Sequence, residues 1–177
     1  MRTFTFQEFK PTIFFLLRFL GIYVVGNLLY GFFITRYYPG PDPVTSWVSH
    51  QSAVVVSAMG WKVHVVEMLA RPTAFLKYGD DPVISIYEGC NGLNVMIIFV
   101  AFIAGFGPAT KKMAWFVPFG LIVIHAANLV RIILLFFVTL YLPDFLYFAH
   151  KYLFTAFLYL IVFLLWIWWV RKIARHE

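Results

Sequence analysis

Four apolar stretches constrain what this chain can become: Pro11 to about Ile34, about Gly89 to Phe106, about Met113 to Leu142, and about Phe145 to Val170. An α-helix needs about 20 consecutive apolar residues to cross the hydrocarbon layer of a bilayer. Stretches of that length leave no surface that water would accept. The chain of 177 residues is 62% hydrophobic and only 12% charged, about half the charged share of a soluble domain. The expected fold is therefore an all-α polytopic membrane protein, a single integral membrane domain over residues 1–177 with about four transmembrane helices.

Between the first and second stretches the pattern changes. Pro39, Gly40, Pro41 and Pro43 break the first helix. Thr45 or Ser46 then offers an N-cap for a helix to about Met59, too short and polar for a span, which suits the membrane interface. Trp61–Val66 alternates like a strand. Thr73–Tyr78 and Val83–Tyr87 flank Gly79-Asp80-Asp81-Pro82, which predicts a hairpin. Residues 36–85 thus read as a small extracytoplasmic cap, an interfacial helix plus a short β-hairpin. Further on, Pro118 is a kink candidate, and Trp166, Trp168 and Trp169 read as an aromatic belt at the membrane surface.

Orientation follows from the basic residues. Arg2, Lys10, Lys111, Lys112, Arg171, Lys172 and Arg175 lie at the two ends and in the Gly107–Lys112 loop. Short basic loops stay inside, so both termini are expected in the cytoplasm and the 36–85 cap outside. The net charge of +6 flanks membrane segments rather than clustering with stacking aromatics, which argues against nucleic-acid binding. One cysteine forms no intramolecular disulfide. The first stretch is too long for a cleaved signal and ends in Thr35-Arg36-Tyr37. No H-E-x-x-H-like spacing marks a metal site, and neither a metal nor another cofactor is expected.

Polar groups inside a membrane are costly, so those present carry information. Arg131 lies well inside the third stretch, where a cation costs about 2.5–3.5 kcal/mol. Counted from Gly107, Met113 and Arg171, the residues Cys90, Arg131 and His150 sit about 26, 27 and 32 Å above the cytoplasmic side at helical rise. Three chemically active residues from three stretches fall in one outer layer.

The chemistry suits that layer. A cysteine attacks as its thiolate, which a helix N-terminus and a nearby cation favour. Cys90 opens the second stretch, and Arg131 can supply the cation or stabilise an oxyanion. His150 can carry a proton near neutral pH. Gly89 and Gly92 would leave room for a substrate backbone beside the sulfur. Asn128 is a candidate orienter, Asn94 lies one turn below Cys90, and Glu88 and Asn91 adjoin the thiol as supporting or substrate-binding groups. Each residue also has a plain structural reading. Cys90 can be an inert buried thiol, His150 an interfacial histidine, Arg131 half of an ion pair, Glu88 a cap residue, and Arg18 a snorkelling cation. For His125 a helix–helix hydrogen bond is expected; His50, His64 and His176 read as surface residues.

The order Cys90-Asn91-Gly92-Leu93, then Asn128-Leu129-Val130-Arg131, then His150 at the start of a late span resembles the exosortase/archaeosortase family of membrane transpeptidases. The resemblance covers roughly residues 44–165, and the short chain is similar to the small exosortase F type. Asn91 stands where Ser or Ala is more usual in that pattern. The resemblance implies a protein-sorting enzyme of the bacterial cytoplasmic (inner) membrane, with its active site at the outer face. Its substrates would be exported proteins ending in a short motif, a transmembrane helix and a basic tail. Cys90 would cleave them through a thioester, with Arg131 and His150 as partners, and pass them to a lipid or glycan amine. Two other classes compete: a small transporter subunit with Arg131 and His125 as pathway charges, and a non-catalytic envelope assembly factor.

Overall fold

The computed structural model describes residues 6–107 and 110–173; Arg2, Pro108, Arg175 and His176 lie outside them. Helix α1 runs over Phe6–Thr35. Helix α2 (Pro43–Ala58) follows, then strands β1 (Val63–Glu67), β2 (Thr73–Tyr78) and β3 (Asp81–Tyr87). After a 3-10 turn at Glu88–Cys90 come α3 (Leu93–Gly105) and α4 (Lys111–Tyr141). The last segment winds through a 3-10 turn at Pro143–Phe145, one α-turn α5 (Leu146–Phe148) and a π-helical stretch Ala149–Leu153. It continues as helix α6 (Phe154–Trp168).

Three of these segments are long and apolar enough to cross a membrane. They are Phe9–Thr35, Lys111–Tyr141 and Pro143–Arg171, whose most apolar 18-residue windows have mean hydropathies of 1.9, 2.4 and 2.3. The chain is a helical membrane protein. The second apolar stretch departs from its expected extent, because regular helix is confined to Leu93–Gly105. Gly92 at its N-cap has φ +84°, the left-handed region that favours glycine and halts regular winding. At helical rise α3 is about 20 Å long, short of the roughly 30 Å hydrocarbon layer.

The helices pack through aromatic rings. Phe99 and Phe116 are fully buried between α3 and α4, and Phe99 lies so close to Gly120 that an added Cβ there would clash with its Cζ. Trp166 stacks on Phe102 with centroids 4.1 Å apart, and Trp169 packs on Phe116 at 5.1 Å. The expected tryptophan belt is therefore corrected in part. Trp169 is buried in a helix interface, and of the three indoles only Trp168 is substantially exposed. Helix α4 continues through Pro118.

The inserted region holds more strand than a hairpin. β1, β2 and β3 form an antiparallel sheet in sequence order, with Val65 opposite Leu76 and Leu76 opposite Ile84. The alternating Trp61–Val66 forms strand only from Val63 onward, as β1 (Val63–Glu67), and its partner is β2, reached by the turn at 68–72. Helix α2 is capped by Asp42 rather than by Thr45 or Ser46. The Asp42 carboxylate accepts from the N–H groups of Val44 and Thr45, and Pro43 occupies the first helical position, where its missing N–H costs nothing. The face of α2 carrying Val48, Ala53 and Val56 packs with Leu76 and Ile86 of the sheet and Ile132 and Phe136 of α4. The sheet is thereby held against the same end of α4 that carries Arg131.

Candidate active site

The turn after β3 is fastened from behind. Asn91 is buried, and its side-chain amide donates to the Tyr30 hydroxyl (2.9 Å) and to Thr45 Oγ1 (3.2 Å), while its Oδ1 accepts from the Leu93 N–H (3.0 Å). The Tyr30 hydroxyl in turn donates to the Glu88 carbonyl (2.8 Å). Thr45 passes the chain on to Asp42 Oδ2. Helix α1, the turn and the cap of α2 are thus joined by one buried polar network in which the Asn91 amide is satisfied on both sides. Asn91 acts on the turn, behind Cys90, and does not line the cavity in front of it.

On the other side a cavity of about 530 Å³ opens. Cys90, Arg131 and His150 all line it, together with residues of β3 and of the Pro143–Tyr147 turn. Cys90 Sγ lies 3.9 Å from His150 Nε2. His150 sits in the π-helical stretch, where the Phe154 N–H reaches back five residues to the Ala149 carbonyl and the Thr155 hydroxyl donates to the His150 carbonyl (3.1 Å). Such a bulge re-aims side chains and recurs at functional sites. Arg131 is buried and enters no ion pair among the described residues, and its Nε has no hydrogen-bond partner there. A buried cation without a counter-ion, facing a cavity, is poised for an anionic or polarised group.

Asn128 donates from Nδ2 to the Cys90 carbonyl (2.9 Å) and so holds the turn from α4; its Oδ1 has no partner among the described residues. The expected room above the glycines is absent. A Cβ on Gly92 would meet Asn128 Cγ at 3.1 Å, and one on Gly89 would meet Tyr87 Cε2 at 2.6 Å. These glycines admit the protein's own side chains, and access to the sulfur comes from the cavity. Asn94 is exposed and does not line the cavity, because α3 begins two residues after Asn91 and turns it outward. Glu88 is half-buried beside the turn, its Oε2 unpartnered among the described residues. It is also outside the cavity lining.

Cys90 ends a 3-10 turn rather than opening a helix, and its electrostatics differ accordingly. Burial pushes its thiol up from the ordinary value of 9.0; Arg131 and hydrogen bonds from the Tyr87 main chain and side chain pull in the opposite direction without overcoming it. The thiol is protonated at neutral pH, so attack requires a base, and His150 is the one in reach. Tyr87 was not singled out from sequence. Its hydroxyl is also raised, chiefly by the charge of Cys90. Asp144 and Tyr147 likewise line the cavity unforeseen. His125 bonds Gln51 of α2 through Nε2 (2.8 Å) and stacks on Trp47, the helix–helix contact expected of it. His50 and His64 are exposed, also as expected. Among the described residues no group of three potential ligands could hold a metal ion.

Comparison with known proteins gives no match: no family model, no curated protein and no solved structure resembles this chain.

Proposed function

We propose that this protein is a membrane-embedded cysteine transpeptidase or endopeptidase of the exosortase kind. The observation that carries the reading is the convergence of Cys90, His150 and the unpaired Arg131 on one cavity, with the sulfur 3.9 Å from Nε2. His150 Nε2 takes the thiol proton as Sγ attacks a peptide carbonyl carbon. Arg131 receives the negative charge that develops on the carbonyl oxygen. The C–N bond then breaks, His150 returns the proton to the leaving amine, and an acyl thioester remains on Cys90. An acceptor amine, loaded on a lipid or glycan, attacks that thioester, and the thiol is restored.

In this reading four segments cross the bacterial cytoplasmic membrane, with α3 as the short one. Both termini face the cytoplasm, and α2 with the three-stranded sheet forms an extracytoplasmic cap over the cavity. Substrates are exported proteins with a C-terminal motif, a transmembrane helix and a basic tail. The basic residues flanking α4 and α6 and the depth of the three side chains support this arrangement.

The test is processing of a co-expressed exported protein bearing such a C-terminal helix. Wild type is expected to shorten it. Cys90→Ser and Arg131→Ala are expected to leave it intact while remaining in the membrane. Undiminished processing by Cys90→Ser would overturn the nucleophile assignment.

A further inference from the structure

The cavity has an edge as well as a nucleophile. β3 is an outer strand of the sheet, with β2 its one strand partner among the described residues. Opposite Tyr87 in the register stands Thr73. The Thr73 N–H donates to the Arg71 carbonyl (2.7 Å), and its carbonyl accepts from the Met68 N–H (3.0 Å), both in the turn from β1. Thr73 and Tyr87 are therefore a non-hydrogen-bonded pair, in which each residue points its main-chain groups away from the other strand. That direction repeats every second residue, so Ser85 shares it, while Ile84 and Ile86 bond to β2.

The outward groups meet the cavity. Val83, Ile84, Ser85, Ile86 and Tyr87 line it in unbroken succession. Side chains of a strand alternate between faces, so a cavity over one face touches every second residue. One that touches five in a row meets the strand edge-on. These residues offer about 16 Å of edge at strand rise, and Cys90 follows three residues beyond Tyr87. The segment after α4 contributes Pro143, Asp144, Leu146, Tyr147 and His150 to the same lining.

We infer that the cavity takes an extended polypeptide as a fourth strand against β3, bound through the main-chain N–H and C=O of Ser85, with one carbonyl delivered to Cys90. The inference deepens the reading of Cys90 as nucleophile and rests on it. The occupant is a peptide because unpaired N–H and C=O groups along an edge are matched by another main chain. An acyl chain would leave them bare, at a cost that a low-dielectric site magnifies. Recognition through the main chain also tolerates varied side chains, with the apolar part of the lining, Ile132, Leu135 and Leu146, selecting bulky aliphatic ones.

The experiment uses the full chain in detergent and acetyl-Val-Ala-Val-Ala vinyl sulfone as probe. The Cys90 sulfur adds to the terminal vinyl carbon, the thiol proton ends on the neighbouring carbon, and intact mass reads the adduct. The peptide probe is expected to label Cys90 about tenfold faster than methyl vinyl sulfone, the equivalent of one or two net hydrogen bonds. N-methylation of alternate amides should abolish that advantage in one of the two alternating registers and spare it in the other. Octyl vinyl sulfone should show no advantage. Ser85→Pro, which deletes one outward N–H and no bond to β2, should slow the peptide probe and leave methyl vinyl sulfone unchanged. Equal rates for the peptide and both N-methylated forms, or an octyl probe as fast as the peptide, would overturn the inference. Should Ser85→Pro not fold, the N-methylated pair on wild type decides. His150→Ala separates the two ideas. If it leaves methyl vinyl sulfone labelling undiminished, activation of the thiol by His150 fails while the edge result stands.

Discussion

Cys90 divides its surroundings into two kinds of polar environment. Behind it, Asn91, Tyr30, Thr45 and Asp42 are buried or half-buried, and each side chain takes part in a bond to the next. In front of it, Arg131 lines the cavity, and its Nε is buried and unpartnered among the described residues. Both environments cost desolvation. One regains it within the protein and therefore sets the shape of the turn. The other leaves hydrogen-bonding capacity unspent, and a ligand is what would use it.

The contrast can be broken most severely at the front. Cys90→Ser and Arg131→Ala should each abolish processing of a sorting substrate, at least about 10³-fold. The Arg131 variant should melt no earlier than wild type, because it removes an unpaired buried charge. A lower melting midpoint for Arg131→Ala would place that side chain with the structural set. Next in size, Asn91→Ala should lower stability by about 2–4 kcal/mol, since it strands partners in Tyr30, Thr45 and the Leu93 N–H; thermal unfolding in detergent reads it. Gly92→Ala should cost about 1–3 kcal/mol through its left-handed φ and the nearby Asn128, and should slow Cys90 alkylation by displacing the turn.

A pH series sharpens the same division. With the Cys90 thiol raised above 9.0 by burial, iodoacetamide labelling of His150→Ala should climb about tenfold per pH unit below that value and continue climbing beyond it. A plateau below pH 9 would contradict the buried, protonated thiol. The sign for stability is consistent. A raised folded pKa gives a contribution that is whole below the unfolded value and is lost as pH rises through the folded one. The smallest effect belongs to Asn94→Ala, exposed and off the cavity, which should change stability by less than about 0.5 kcal/mol and leave labelling unchanged.

Position along each helix can be counted in the sequence because helical rise is fixed. Counting from the inner helix ends at Gly107, Met113 and Arg171 put Cys90, Arg131 and His150 in one layer, and they do line one cavity. What hid from such counting was direction around the axis and the identity of partners. Asn94 lay at a plausible distance yet faces outward, since Gly92 resets the winding before it. Tyr87 carried a signal in its place two residues before Gly89, an aromatic ring that a missing Cβ lets fold over the turn. The third strand was visible as alternation in Trp61–Val66, but pairing depends on contacts distant in sequence, and composition does not encode them. The raised thiol could not be inferred from a helix end that is absent at Cys90, nor from a cation whose pull burial outweighs.

The π-helical winding at Ala149–Leu153 also makes this site sensitive to the counting of codons. A helix is a screw that advances about 100° per residue, and here it carries one residue more than regular winding would hold. Losing a single residue among Lys151, Tyr152 and Leu153 would let the screw run true and keep α6 in its groove. The imidazole would then swing by about that angle, away from the sulfur. Insertions and deletions in this short window therefore reorient the proton carrier without altering any chemical group at the site.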